Sequence, residues 1–132
     1  MIVADASAVV ELALNTPRAA MVRQVLARES DAHVPELLEP EALAALRRWV
    51  AKGWVSSESA EQAVRQIGDL ALVRHGHAPL RARIWALRHR CSTYDACYVA
   101  LAEALDAELL TADLRLSRAA GGLVEVITAG DD

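Results

Sequence analysis

The sequence predicts an α/β protein built on a parallel sheet, and three observations carry that prediction. Short apolar runs at residues 1–4, 32–35 and 108–111 alternate with longer segments of helical periodicity. The runs are short and rich in apolar residues, as strands covered on both faces require. The stretches between them are long enough to hold the crossover helices that parallel neighbours need.

The elements follow in order. Residues 1–4 form a buried strand that stops at Asp5, and a helix runs from about Ala8 to Leu14 after a polar turn at Ser7. Thr16 and Pro17 suit the cap and first position of a second helix reaching about Arg28. A second strand at 32–35 leads into a helix over 36–52 that Gly53 ends, with Pro40 either in its first turn or bending it. Ser56 opens a helix to about Leu70, and 71–73 is a third strand. Pro79 opens a helix whose Leu80, Ile84 and Leu87 form the buried stripe, leaving Arg81, Trp85 and Arg88 together on another face. Ser92 to Asp95 has the spacing of a capping box at the start of a helix through Leu105. Strands at 108–111 and 124–127, with a short helix from Asp113 between them, complete the chain.

With 132 residues, 54% hydrophobic and 24% charged, one packed domain over 1–129 is expected, with 130–132 as a free tail. No apolar run approaches the roughly 20 residues of a membrane span, no export signal precedes residue 4, and the expected home is the cytoplasm. Cys91 and Cys97 fit no metal or redox spacing and read as reduced packing residues. The net charge of −4 speaks against coating nucleic acid by bulk electrostatics. The distribution is uneven, however: between Asp69 and Asp95 there is no acid, while Arg74, Arg81, Arg83, Arg88 and Arg90 with three histidines lie there. His75 and His77 have the spacing of a soft-metal pair but, with a glycine between them and no cysteine near, read as an exposed loop. Trp49, Trp54 and Trp85 read as core residues, with an interface as the alternative.

The candidate chemistry lies in the acids. In parallel sheets ligands gather at the carboxyl ends of strands. Asp5 and Asp113 each follow a strand, and Asp95 begins a helix. Each has a plain alternative as a helix cap, and Glu41, on a helix beside Ala44, Ala45 and Arg48, has one as a solvated side chain. Together they offer the oxygen ligands that magnesium or manganese takes. An aspartyl-phosphate mechanism usually enlists a lysine, and the single lysine, Lys52, is poorly placed for it.

Four stretches carry a family resemblance: residues 2–8 (IVADASA), 34–41 (VPELLEPE) with 46–48 (LRR), 93–103 (TYDACYVALAE) and 110–113 (LTAD). Together they resemble PIN-domain proteins, and specifically the VapC toxins of bacterial toxin-antitoxin pairs, over essentially the whole chain. That resemblance implies a three-layer fold with a parallel sheet of four or five strands, and a Mg²⁺ or Mn²⁺ site hydrolysing single-stranded RNA. Its ligands and catalytic groups would be Asp5, Glu41, Asp95 and Asp113. It also implies a homodimer and a VapB-type antitoxin, with DNA met only through the antitoxin. The chain departs from the pattern at Ala44, where asparagine is frequent, and at Leu114 and Arg115, where some members add an acid; a sparser second metal site follows. The cationic partner surface for RNA is expected at Arg81, Arg83, Arg88 and Arg90. A non-catalytic binding module, with the acids as caps, is the competing reading.

Overall fold

The computed structural model describes residues 1–129; the expected tail at 130–132 lies outside the described residues. Five parallel strands, β1 (Ile2–Ala4), β2 (Ala32–Pro35), β3 (Leu72–His75), β4 (Glu108–Thr111) and β5 (Val126–Thr128), form one sheet in the order β3-β2-β1-β4-β5. The helices are α1 (Ala6–Ala13), α2 (Ala19–Leu26), α3 (Leu38–Ala51), α4 (Ser57–Asp69), α5 (Arg81–Ala86), α6 (Thr93–Leu105) and α7 (Leu114–Ala120). This is the expected α/β arrangement of helices over a parallel sheet. Among the described residues no helix is long and apolar enough to cross a membrane.

Alternation along the central strands explains the two covered faces. Val3 and Leu109 point into a cluster with Tyr98, Val99 and Leu116, which belong to α6 and α7. Ile2, Ala4, Val34 and Leu110 point the other way, toward Val9, Val10 and Val22 of α1 and α2 and Leu38 of α3. Both faces being apolar, β1 is buried at every position.

The sheet order puts β1 at its centre, and the register sets Ala4 beside Leu110. The residues that follow, Asp5 and Thr111, therefore meet where both strands end.

Several boundaries differ from expectation for physical reasons. The helix α1 starts at Ala6 rather than Ala8, because Asp5 itself is the cap and accepts from the Ala8 amide at 3.0 Å. The helix α2 starts at Ala19, not Pro17: Thr16 Oγ1 donates to Glu11 Oε1 at 2.6 Å, and the chain turns before entering the helix. Pro40 is the third residue of α3, so its missing N–H is one the first turn leaves unpaired anyway. Pro79 sits in a 3-10 turn, Ala78–Leu80, that feeds α5. Strands β3 and β5 begin one and two residues later than expected.

The helix α3 ends as its sequence suggests. Gly53 adopts φ 74°, its amide donates to Val50 O at 3.0 Å, and the Trp54 amide donates to Trp49 O at 2.9 Å. Edge contact of the Trp49 and Trp54 rings, 6.1 Å between centroids, is the apolar clamp of that motif. Trp54 is thus 64% exposed rather than in the core, and Trp85 is 67% exposed. Both cysteines are free, Cys97 buried and Cys91 partly so.

Candidate metal centre at the carboxyl ends of the strands

The four acids singled out from the sequence, Asp5, Glu41, Asp95 and Asp113, line a single cleft of about 470 Å³. They arrive from four separate segments: the end of β1, the first turns of α3 and α6, and the residue after the Thr111-Ala112 exit of β4.

Asp5 is the most constrained. It is 4% exposed, and both of its oxygens are used. Oδ1 accepts from Ser7 Oγ at 2.7 Å and from the Ala8 amide, and Oδ2 accepts from Thr111 Oγ1 at 2.6 Å. Ser7 Oγ also takes the Ala112 amide at 2.9 Å, and Thr111 Oγ1 takes the Asp113 amide at 2.9 Å. Two hydroxyls therefore tie the turn after β1 to the turn after β4. Burial pushes the Asp5 carboxyl up to about 6, with Asp113 acting in the same direction, while the three hydrogen bonds pull it back.

Glu41 is no solvated helix residue. Tyr98 donates to its Oε1 at 2.7 Å, and burial followed by the charges of Asp95 and Asp113 holds its carboxyl above the usual range despite that bond. Burial likewise raises the Tyr98 hydroxyl.

The capping alternatives resolve differently at the two remaining acids. Asp113 does cap α7, its Oδ1 accepting the Arg115 amide at 2.9 Å, which leaves Oδ2 turned toward the Arg115 guanidinium at 3.5 Å. At α6 the cap is Ser92, whose hydroxyl accepts the Asp95 amide at 3.1 Å. The Asp95 carboxylate is therefore available to the cleft, with Arg115 Nη2 at 3.9 Å. Burial and Asp113 raise its pKa, and Arg115 and Ser92 offset part of that rise.

All the donors are carboxylate or hydroxyl oxygens, the set that suits a hard divalent cation. Among the described residues no three Asp, Glu, His or Cys side chains stand close enough together, as placed, to hold a metal ion by themselves. Magnesium suits such an open set, since it keeps several waters and takes only one or two carboxylates with substrate oxygens. After burial, the charge of Asp113 raises the carboxyls of Asp5, Glu41 and Asp95, and Asp95 raises that of Glu41, a repulsion that a bound cation would relieve.

Sequence reasoning did not single out Ser7, Thr111 and Tyr98, although all three lie within the stretches that carry the family resemblance. The basic segment also divides unexpectedly. Arg83 is paired with Glu103 at 2.7 Å and 2.9 Å, and Arg90 donates to Gly121 O at 2.7 Å, so both serve the fold. The cations that rim the cleft are Arg18, Arg48 and Arg115, from three different elements. His75 is not in a loop: it ends β3, and its Nε2 lies 2.9 Å from His33 Nδ1. His77 Nε2 accepts the Leu37 amide at 3.1 Å, steadying the entry to α3. Neither arrangement is a paired metal site.

Comparison with known proteins agrees with this geometry. The family model of the PIN domain matches residues 2–122. Ribonuclease VapC9 of Mycobacterium tuberculosis is 44% identical over 117 residues, 89% of each chain. Ribonuclease VapC1 of the same organism is 43% identical over 120 residues, 90% of each chain. Among solved structures, PAE2754 from Pyrobaculum aerophilum superposes with a TM-score of 0.71 at 23% identity, covering 95% of this chain and 81% of its own. VapBC2 from Rickettsia felis, bound to a DNA fragment from its promoter, superposes with a TM-score of 0.67 at 14% identity, covering 98% of this chain and all of its own. With the family match running nearly end to end and the relatives aligned over nine-tenths of their length, the chain belongs to the PIN domain family, in its VapC branch.

Proposed function

We propose that this chain is the toxin of a VapBC-type toxin-antitoxin pair, an endoribonuclease that hydrolyses RNA phosphodiester bonds at a Mg²⁺ or Mn²⁺ site formed by Asp5, Glu41, Asp95 and Asp113. The observation that carries the reading is the convergence of these acids, from four separate segments, on one cleft at the carboxyl ends of the strands. The ribonuclease names of relatives at 43–44% identity support the activity.

Within that cleft the chain's own groups have distinct tasks. Ser7, Thr111 and the Ala8 amide fix the orientation of Asp5. Tyr98 holds Glu41 inward. Asp95, freed from capping by Ser92, and the outer oxygen of Asp113 face the opening. Asp5, Glu41, Asp95 and Asp113 would hold a divalent cation, which when bound would supply charge neutralisation at the scissile phosphate and activation of a water. Arg18, Arg48 and Arg115 at the rim draw the RNA backbone toward an otherwise repellent acidic floor.

The resemblance that carries the activity also carries the partners: a VapB-type antitoxin that silences the site, and a homodimer. The rival account, a PIN-like binding module without catalysis, retains the fold and the partner but needs no metal.

The test is incubation of cellular RNA with antitoxin-free protein in magnesium, in manganese and in chelator, beside Asp5→Ala and Asp95→Asn. Discrete metal-dependent cuts that both variants lose support the nuclease. No cuts under any condition from folded wild-type protein would favour the binding module.

A further inference from the structure

We propose that the exposed groove formed by Trp85, Arg81 and Arg88 is a flanking-nucleotide subsite, where a base of the single-stranded RNA stacks and its phosphate is held while a neighbouring bond lies in the acidic cleft. This rests on the ribonuclease reading above and names where its substrate runs.

The groove has a volume of about 290 Å³ and is lined by His77, Arg81, Ile84, Trp85, Arg88 and Thr93 among others. Its most unusual feature is Trp85, which is 67% exposed. Exposing an indole forgoes the large burial gain that tryptophan ordinarily makes in a core. The ring is not idle: the Arg88 guanidinium carbon stands 4.6 Å from its centroid, and Arg88 Nη1 donates to Trp85 O at 3.0 Å, so the two planes are held together. An indole backed by a guanidinium is a platform on which any base can stack, with a positive charge beside it for the phosphate.

Charge selects the occupant. Of the four arginines between Leu80 and Cys91, Arg83 and Arg90 are engaged by Glu103 and the Gly121 carbonyl. Arg81 and Arg88 are the two that line this groove, no acid among the described residues lines it, and Glu103 is bound to Arg83. A polyanion with planar bases matches a cationic and aromatic groove.

Position then links groove and cleft. Thr93 lines the groove, and the next two residues of α6, Tyr94 and Asp95, line the acidic cleft. Tyr94 is 60% exposed, so a strand leaving the cleft meets a second aromatic before reaching Trp85. Single-stranded RNA, whose unstacked bases are free to stack on aromatics, fits this path better than a duplex does.

The experiment follows metal-dependent cleavage of fluorescent single-stranded oligoribonucleotides of randomised sequence by wild type, Trp85→Ala, Trp85→Phe and the double variant Arg81→Ala, Arg88→Ala. Circular dichroism and light scattering on each confirm fold and oligomeric state. The subsite predicts a KM raised about tenfold in Trp85→Ala, with kcat little changed and most of the loss restored by phenylalanine. In the double variant the log–log salt dependence of KM falls by about 0.7, the value for the one phosphate that the subsite holds. RNAs trimmed to the nucleotides at the cut respond to none of these changes.

Wild-type cleavage with KM and salt dependence unaltered in folded variants would overturn the subsite while leaving the nuclease standing. Variants that lose self-association yet keep the wild-type KM would overturn it too, assigning the groove to a protein interface. Absence of cleavage by wild type itself would remove the underlying reading.

Discussion

Two hollows of nearly equal size lie at opposite ends of the same sheet. The one at the amino ends of β2 and β3 measures about 500 Å³ and is lined by apolar residues such as Val9, Leu12, Leu26, Leu70 and Leu72, together with Arg23, Glu29, Asp31 and Asp69. Of these acids, Glu29 has its carboxyl lowered, by a hydrogen bond from the Met1 amino group, rather than raised. The one at the carboxyl ends of β1 and β4 measures about 470 Å³ and is lined by five acids (Asp5, Glu11, Glu41, Asp95 and Asp113), three arginines and two tyrosines. Volume does not distinguish them; what differs is the electrostatic work stored in the lining. The apolar hollow is a place where helices fail to close over strand ends. The acidic one holds carboxylates whose pKa values burial and mutual repulsion raise, an arrangement costly in stability unless a cation or substrate uses it.

The largest way to sharpen that contrast is Asp95→Asn. Ser92 retains the cap of α6, so circular dichroism should show an unchanged fold while RNA cleavage falls to background. Cleavage near the wild-type rate would remove Asp95 from the site.

Asp5→Asn tests the stored work directly. The folded-state pKa of Asp5 is about 6, above its ordinary value of 3.8, so between those pH values the folded chain keeps a proton that the unfolded chain releases. Stability is thus lost as pH rises through that window, by about 3 kcal/mol at 1.36 kcal/mol per unit. The metal-free variant should be more stable than wild type at pH 7.5, less whatever the reversed Thr111 hydrogen bond costs, and its stability should vary less between pH 4 and 6. Denaturant titration across that range checks it. A variant whose stability falls between pH 4 and 6 as steeply as that of wild type would refute the account.

Tyr98→Phe is expected to act more gently. It removes the donor to Glu41 Oε1, so the Glu41 carboxyl rises further and the acid limb of the pH–activity profile moves to higher pH, with a loss of roughly tenfold near neutrality. An unshifted profile would show that Glu41 ionisation does not govern the rate.

The smallest effect on chemistry should come from the other end. Leu26→Ala, in the apolar hollow, should cost about 2 kcal/mol by thermal unfolding while leaving the cleavage rate per folded molecule unchanged.

What was legible in the sequence follows the same division. Strands β2 and β4 were readable to the residue, because each lies between segments of helical periodicity around buried apolar residues, Val34 in one and Leu109 and Leu110 in the other. Strand β3 slipped because it lies at the sheet edge, where Val73 and Arg74 are exposed and the strand runs on past the apolar run 71–73 into Arg74 and His75. The four acids were legible because each stands where a strand ends or a helix begins, or on a helix face that the motif spacing marks. Ser7, Thr111 and Tyr98 were not, because the partners of their defining bonds include residues 104, 106 and 57 positions away. Density of arginine misled in part: Arg83 and Arg90 are spent on the fold, and the rim arginines Arg18, Arg48 and Arg115 are scattered through the chain.

The central claim is that the acidic cleft is a divalent-cation site, and manganese titration followed by electron paramagnetic resonance tests it most directly. Wild-type protein free of antitoxin should show saturable Mn²⁺ binding that magnesium competes away and that Asp95→Asn and Asp5→Asn each weaken severely. Binding that is absent in folded wild type, or equally strong in both variants, would contradict the account.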